Sequence, residues 1–144
     1  LVTVRRWTAL VPEVTCTDLQ ASLIFYRDAL GFEVLYQRPE DGFAYLELGD
    51  AQLMLEQGFA GWLTGPLERP FGRGINLQIE VLDARKLEAR LKASGCPLFR
   101  TCQDAWYRDG DVEHGQIEFL VQDPDGYLLR FVEPLGERPI GQTG

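Results

Sequence analysis

A duplicated pattern is the sequence feature that most constrains how this chain folds. Residues 10–35 run strand, aspartate, helix, glycine and strand, and residues 75–99 run in the same order. The aspartates of the two copies, Asp18 and Asp83, lie 65 positions apart. An apolar-turn-apolar hairpin follows each copy. The duplication therefore predicts two tandem β-α-β-β-β modules.

Periodicity and end signals define the elements of each copy. The apolar face of the first helix consists of Leu19, Leu23, Tyr26 and Leu30, spaced as one side of a helix requires. Asp18 and Asp83 are typical N-cap residues, and Gly31 and Gly95 are typical of helix C-termini. The stretch 76–81 alternates apolar and polar residues, which predicts a half-buried strand.

The predicted fold class is α+β, with curved, mostly antiparallel sheets and the helices on their outer faces. A length of 144 residues suits one packed domain, 1–144, rather than two independent ones. Within it we predict module one at about 9–57, a Gly- and Pro-rich linker at about 58–74, and module two at about 75–135.

Charge and hydropathy limit the classes of partner. The formal net charge of −8 disfavours nucleic acid and favours a cationic small molecule. No apolar run approaches the ~20 residues that cross a bilayer, so we expect a cytoplasmic protein without a membrane partner. Three cysteines without C-x-x-C spacing indicate neither a disulfide framework nor a zinc site.

Three motifs carry a resemblance to a known family. They are "TDLQASLIFYRDALGF" (17–32), "GDAQLMLE" (49–56) and "DPDGYLLRF" (123–131). With the paired modules, the chain resembles the vicinal oxygen chelate superfamily, which includes glyoxalases, extradiol dioxygenases and bleomycin resistance proteins. The resemblance covers about 9–135 and is closest to the bleomycin resistance proteins.

The resemblance implies where a metal would bind. Metal enzymes of the superfamily take one ligand from the first and last strand of each module, and the matching positions here are Val11, Met54, Asn76 and Arg130. These side chains offer a divalent metal no carboxylate or imidazole donor. We therefore expect no metal, no cofactor and no catalytic residues. The sequence at 123–126 predicts a β-turn rather than a calcium loop.

Aromatic and acidic side chains form the candidate ligand site. Trp62 lies in the linker, and Trp106 and Tyr107 lie in a predicted long loop at 100–115. Aromatic rings stack on flat heteroaromatic groups, while carboxylates pair with amines. The predicted ligand residues are Trp62, Trp106, Tyr107, Glu13, Glu56, Glu80, Asp109, Glu113 and Arg130.

The resemblance implies sequestration of a bleomycin-like cationic glycopeptide antibiotic, without chemical change and conferring resistance. It also implies a homodimer that exchanges its N-terminal strand. The stretch 1–10 would serve as the exchanged arm, with Trp7 as its anchor or as a cap on the core. Two alternatives stay open. One is a glyoxalase-like lyase or isomerase, in which Arg130 holds a carboxylate and Glu56 or Glu80 acts as base. The other is a binder of another small molecule.

Overall fold

A computed structural model describes residues 5–58 and 60–141 of the chain. The chain divides into two units between Arg69 and Pro70, inside the predicted linker. Among the described residues, no helix is long and apolar enough to cross a bilayer.

The first unit folds as a β-α-β-β-β module. Its elements are β1 (Glu13–Cys16), α1 (Leu19–Leu23), a π-helical continuation (Ile24–Ala29), β2 (Glu33–Arg38), β3 (Phe43–Leu48) and β4 (Ala51–Gln57). Short 3-10 turns follow β2 at Pro39–Asp41 and β4 at Ala60–Trp62. The sheet order is β1-β4-β3-β2, in which β1 and β4 are parallel and the other pairs antiparallel.

The predicted ends of the first helix are confirmed. The Asp18 carboxylate accepts hydrogen bonds from the backbone N–H groups of Gln20 and Ala21, which have no partner inside the helix. Gly31 has a φ of 90°, which suits a glycine beyond a helix C-terminus. The predicted apolar face is buried; it consists of Leu19, Leu23, Tyr26 and Leu30.

The second unit repeats the module. Its elements are β5 (Asn76–Glu80), α2 (Ala84–Ala93), β6 (Arg100–Asp109), β7 (Val112–Gln122) and β8 (Leu128–Pro139), with sheet order β5-β8-β7-β6. Asp83 caps α2 by accepting a hydrogen bond from the backbone N–H of Lys86. The predicted fold class of two tandem modules is therefore confirmed.

The predicted long loop at 100–115 is wrong, because this segment forms β6 and the start of β7. Trp106 pairs with Gly115 across the hairpin, and Tyr107 pairs with His114. Polar residues on both faces hide the strand pattern in the sequence, whereas the Asp109-Gly110 pair is a hairpin-turn signal. The tryptophan and the tyrosine therefore point to opposite faces of the sheet.

The turn between β7 and β8 is the predicted β-turn. The Asp123 carboxylate accepts hydrogen bonds from the backbone N–H groups of Asp125, Gly126 and Tyr127 at 2.9 to 3.0 Å. Gly126 has a φ of 103°, and a Cβ there would lie 2.4 Å from the Cβ of Pro70. Only glycine suits this position, because both the backbone conformation and the space exclude a side chain.

Each sheet has one mostly buried face, and its opposite face combines buried and exposed side chains. Val14 and Cys16 of β1 are buried while Glu13 is exposed, and Phe119 stacks on Phe131 inside the second unit at 5.4 Å between ring centroids. We call the two faces opposite these buried side chains the first open face, on β1 to β4, and the second open face, on β5 to β8.

Candidate functional site

Two predicted carboxylates meet on the first open face. Glu13 lies on β1 and Glu56 on β4, and the parallel pairing of these strands brings their side chains into hydrogen-bonding contact. Burial raises the pKa of Glu13, and the charge and hydrogen bond of Glu56 raise it further, while Arg38 opposes the shift. The pair therefore favours taking up a proton or a cation.

An aromatic cluster lies on the same face. Tyr36 and Tyr45 stack with ring centroids 5.3 Å apart and an interplanar angle of 16°. Trp7 stands perpendicular to both rings, 5.0 Å from Tyr45 and 6.0 Å from Tyr36. The Trp7 side chain is 51% exposed and Tyr36 is 39% exposed, so two perpendicular rings remain open to solvent.

Sequence reasoning missed Tyr36, Phe43 and Tyr45 as candidate ligand residues. The register places Tyr45 opposite both Met54 and Tyr36, and Phe43 opposite both Glu56 and Arg38. The available signal was the alternation of Phe43 and Tyr45 on β3, at positions that share a face with Glu56, together with Tyr36 on β2. This signal can be used only when the strand register is known, and the register cannot be read from the sequence.

A cation of the chain already contacts this cluster. The Arg38 guanidinium carbon lies 4.0 Å from the ring centroid of Phe43 and 5.9 Å from that of Tyr36, within cation–π range. Its Nε also lies 3.1 Å from an oxygen of Asp41. An open cleft of about 720 Å³ adjoins this region and is lined in part by Arg38, Glu40, Asp41 and Glu56.

The second open face contains a tyrosine–glutamate–arginine cluster around a buried carboxylate. Glu118 is 3% exposed; it accepts a hydrogen bond from the Tyr107 hydroxyl and lies 3.7 Å from an Nη of Arg130. The hydrogen bond to Glu118 is the main cause of the raised pKa of Tyr107. Arg130 therefore has an anionic partner within its own sheet, which the sequence did not reveal.

The other predicted residues of the second unit lie apart from this cluster. Glu80 is exposed on β5, on the second open face beside the strand that contains Arg130. Asp109 lies at the far end of β6, where an oxygen of its carboxylate is 2.7 Å from Nε2 of His114. The hydrogen bond to Asp109 raises the pKa of His114.

Trp106 packs on the opposite face from Tyr107. The Arg138 guanidinium carbon lies 3.9 Å above its ring, and Arg138 is also 3.3 Å from a Glu113 oxygen. A Cβ at Gly115 would lie 2.4 Å from a ring carbon of Trp106, so the tryptophan rests directly on this glycine. The contacts with Arg138 and Gly115 give Trp106 a packing role, and the ion pair with Arg138 gives Glu113 one. In the first unit, by contrast, Trp62 is 73% exposed in its 3-10 turn.

Comparison with known proteins identifies the family. A family model described as the Glyoxalase/Bleomycin resistance protein/Dioxygenase superfamily matches residues 8–131. The chain belongs to this superfamily. The family resemblance inferred from the sequence is thereby confirmed.

Curated relatives and solved structures are similar to this chain over most of their lengths. Bleomycin resistance proteins from Geobacillus stearothermophilus and from Staphylococcus aureus (strain MRSA252) are each 28% identical over 135 residues, covering 87% of this chain and 96% of the relative. TioX from Micromonospora sp. ML1 superposes with a TM-score of 0.70 at 20% identity, covering 90% of this chain and all of that one. Virulence protein STM3117 from Salmonella typhimurium gives 0.66 at 16% identity, covering 92% and 98%. The two structures show the shared fold.

The superfamily's metal positions do not fit a divalent metal here. Met54 lies on β4, Asn76 on β5 and Arg130 on β8, with Val11 just before β1. None supplies a carboxylate or an imidazole, and Arg130 would repel the ion. Across residues 5–58 and 60–141, no group of three or more His, Cys, Asp or Glu side chains could hold a metal. A metal-free protein stays a prediction.

Proposed function

We propose that the protein binds a cationic, partly planar antibiotic of the bleomycin type and retains it without chemical change. The observation that carries this proposal is the first open face, which combines two half-exposed aromatic rings, Trp7 and Tyr36, with the carboxylates of Glu13 and Glu56. The curated relatives named Bleomycin resistance protein support the same ligand class.

The carboxylate pair makes the affinity for a cationic ligand depend on pH. A bound cation offsets the repulsion between Glu13 and Glu56, and it does so best when both are ionised. Because the pKa of Glu13 is raised, a proton competes with the cation up to that pKa. Affinity should therefore increase as pH rises through the pKa of Glu13.

We propose that the remaining predicted ligand residues also contact the ligand. The set consists of Trp62, Trp106, Tyr107, Glu80, Asp109, Glu113 and Arg130. We also propose a homodimer with an exchanged N-terminal strand, as the family resemblance implies, and a cytoplasmic location. In this chain the backbone of Arg6 and Thr8 bonds to Gln52 of its own sheet, and in an exchanged dimer the same bonds would join the arm to the partner subunit's Gln52.

The alternative of a lyase or isomerase has less support. It requires Arg130 to hold a substrate carboxylate, but Arg130 is already paired with the buried carboxylate of Glu118. A second anion would have to compete with this internal one in a protein of net charge −8. Binding without chemistry is therefore the function that the geometry supports best.

A fluorescence titration with bleomycin tests the proposal. Glu13→Gln and Glu56→Gln should each weaken binding several-fold, whereas Asp50→Asn, which removes one charge from an exposed turn, should not. Added salt should slow association more than it speeds release, because screening acts on long-range attraction. Trp62→Ala, which removes an exposed ring, should cost about 1–3 kcal/mol of binding free energy. Absence of quenching at tens of micromolar drug, at low and at high salt, would refute sequestration.

A further inference from the structure

A buried glutamine fixes the chain segment that precedes β1. Gln52 of β4 is 5% exposed, and its Oε1 accepts hydrogen bonds from the backbone N–H of Thr8 at 2.9 Å and from the Tyr45 hydroxyl at 2.7 Å. Its Nε2 donates to the backbone carbonyl of Arg6 at 3.1 Å and to Glu47 at 2.7 Å. One amide group therefore holds the backbone on both sides of Trp7.

These bonds determine where the Trp7 ring lies. With Arg6 and Thr8 both attached to Gln52, the tryptophan between them is held over Tyr45 and beside Tyr36. Half of its side chain nevertheless stays exposed. An ordered and exposed pair of perpendicular aromatic rings, on the face that also carries Glu13 and Glu56, suits a ligand that combines a flat ring system with a positive charge.

We propose that Gln52 is a positioning residue for Trp7, and that Trp7 and Tyr36 together form the wall that receives the planar part of the ligand. Glu13 and Glu56 on the same face receive its cationic group. The proposal rests on the proposed function and deepens it, because it names Trp7 as a ligand-contacting residue. It also gives the N-terminal segment a role in the site.

The amide group of Gln52 allows this side chain to hold the arm. A glutamine side chain accepts with one end and donates with the other, and both ends are used here. Gln52→Glu keeps the size but removes the donor to Arg6 and places a second carboxylate beside Glu47. The substitution should therefore release the arm. Thr8→Pro is a second variant that removes the backbone donor without changing the sheet.

The arm can be followed without any ligand. In a Trp62→Phe/Trp106→Phe background, Trp7 is the only tryptophan, and trypsin cleavage after Arg5 and Arg6 reports release of the arm. Gln52→Glu should raise the cleavage rate about ten-fold, corresponding to loss of one net hydrogen bond, and shift Trp7 emission to longer wavelength. Gln20→Glu, which makes the same change on the exposed surface of α1, should do neither. Equal rates for Gln52→Glu, Thr8→Pro and the parent would overturn the positioning role.

Bleomycin titrations test the ligand wall. Trp7→Ala should weaken binding about ten-fold, Gln52→Glu by a similar factor, and the double variant no further. Added negative charge alone would strengthen binding of a cation, so weakening by Gln52→Glu reports the arm. Wild-type-like affinity in Trp7→Ala would overturn the inference and leave the proposed function intact. A parent protein that does not bind bleomycin would overturn the proposed function and the ligand wall together, while the cleavage rates still decide whether Gln52 holds the arm.

Discussion

Replacing Arg130 with methionine should destabilise the protein by an amount that the Glu118 pair determines. The two charges lie 3.7 Å apart, and at an effective dielectric constant of ~20 their attraction is roughly 4 kcal/mol. The Arg130 side chain is partly exposed, which lowers the loss, whereas Glu118 is buried and cannot regain full hydration. We expect Arg130→Met to reduce the free energy of unfolding by about 2–3 kcal/mol at neutral pH.

Urea unfolding with an unchanged m-value measures this loss, and a second substitution tests its cause. Glu118→Gln removes the buried negative charge that Arg130→Met leaves without its cationic partner. The double variant should therefore recover more than half of the stability that Arg130→Met loses. Arg85→Met breaks the exposed pair with Asp104 at 3.2 Å and should cost less than about 1 kcal/mol. An unchanged free energy of unfolding in Arg130→Met, or purely additive losses in the double variant, would refute the reasoning. Arg130 would then be available to bind a substrate anion.

Three further predictions concern pH, metal and assembly. The raised pKa of His114 means that its ion pairs with Asp109 and Glu137 stabilise the fold fully below pH ~6.5, and that this contribution is lost as pH rises through the folded-state pKa. The difference in Tm between wild type and His114→Gln should shrink over that range, and a constant difference would contradict the assignment. Elemental analysis of protein purified without chelator should find no stoichiometric divalent metal, whereas an EDTA-sensitive ion would favour the enzyme alternative. Sedimentation at micromolar concentration should give about twice 16.3 kDa, and a strict monomer would exclude strand exchange.

Local signals in the sequence were sufficient for the architecture. Asp18 and Asp83 cap their helices because the capping interaction depends only on neighbouring residues. The turn at 123–126 follows from proline and glycine at fixed positions in the same way. Such features need no knowledge of distant parts of the chain, which explains why the module order was predictable.

The composition of the open faces could be predicted only in part. Glu13 and Glu56 were both expected in the ligand site, but their direct contact depends on the register between β1 and β4. Gln52 and Glu118 were missed because each alternates with apolar residues in a strand, so neither differs in sequence from a solvated polar residue. Their burial results from partners that are distant in sequence, namely Thr8 for Gln52 and Arg130 for Glu118.

The π-helical segment at Ile24–Ala29 explains a small mismatch between the two modules. Thirteen positions separate Asp18 from Gly31, but only twelve separate Asp83 from Gly95. A π-helical turn accommodates one additional residue in an α-helix without moving the residues that flank it. An alignment of the modules therefore needs a single-residue gap within 24–29. A one-residue insertion after duplication, or a deletion from the other copy, could thus be tolerated while both helix caps were kept.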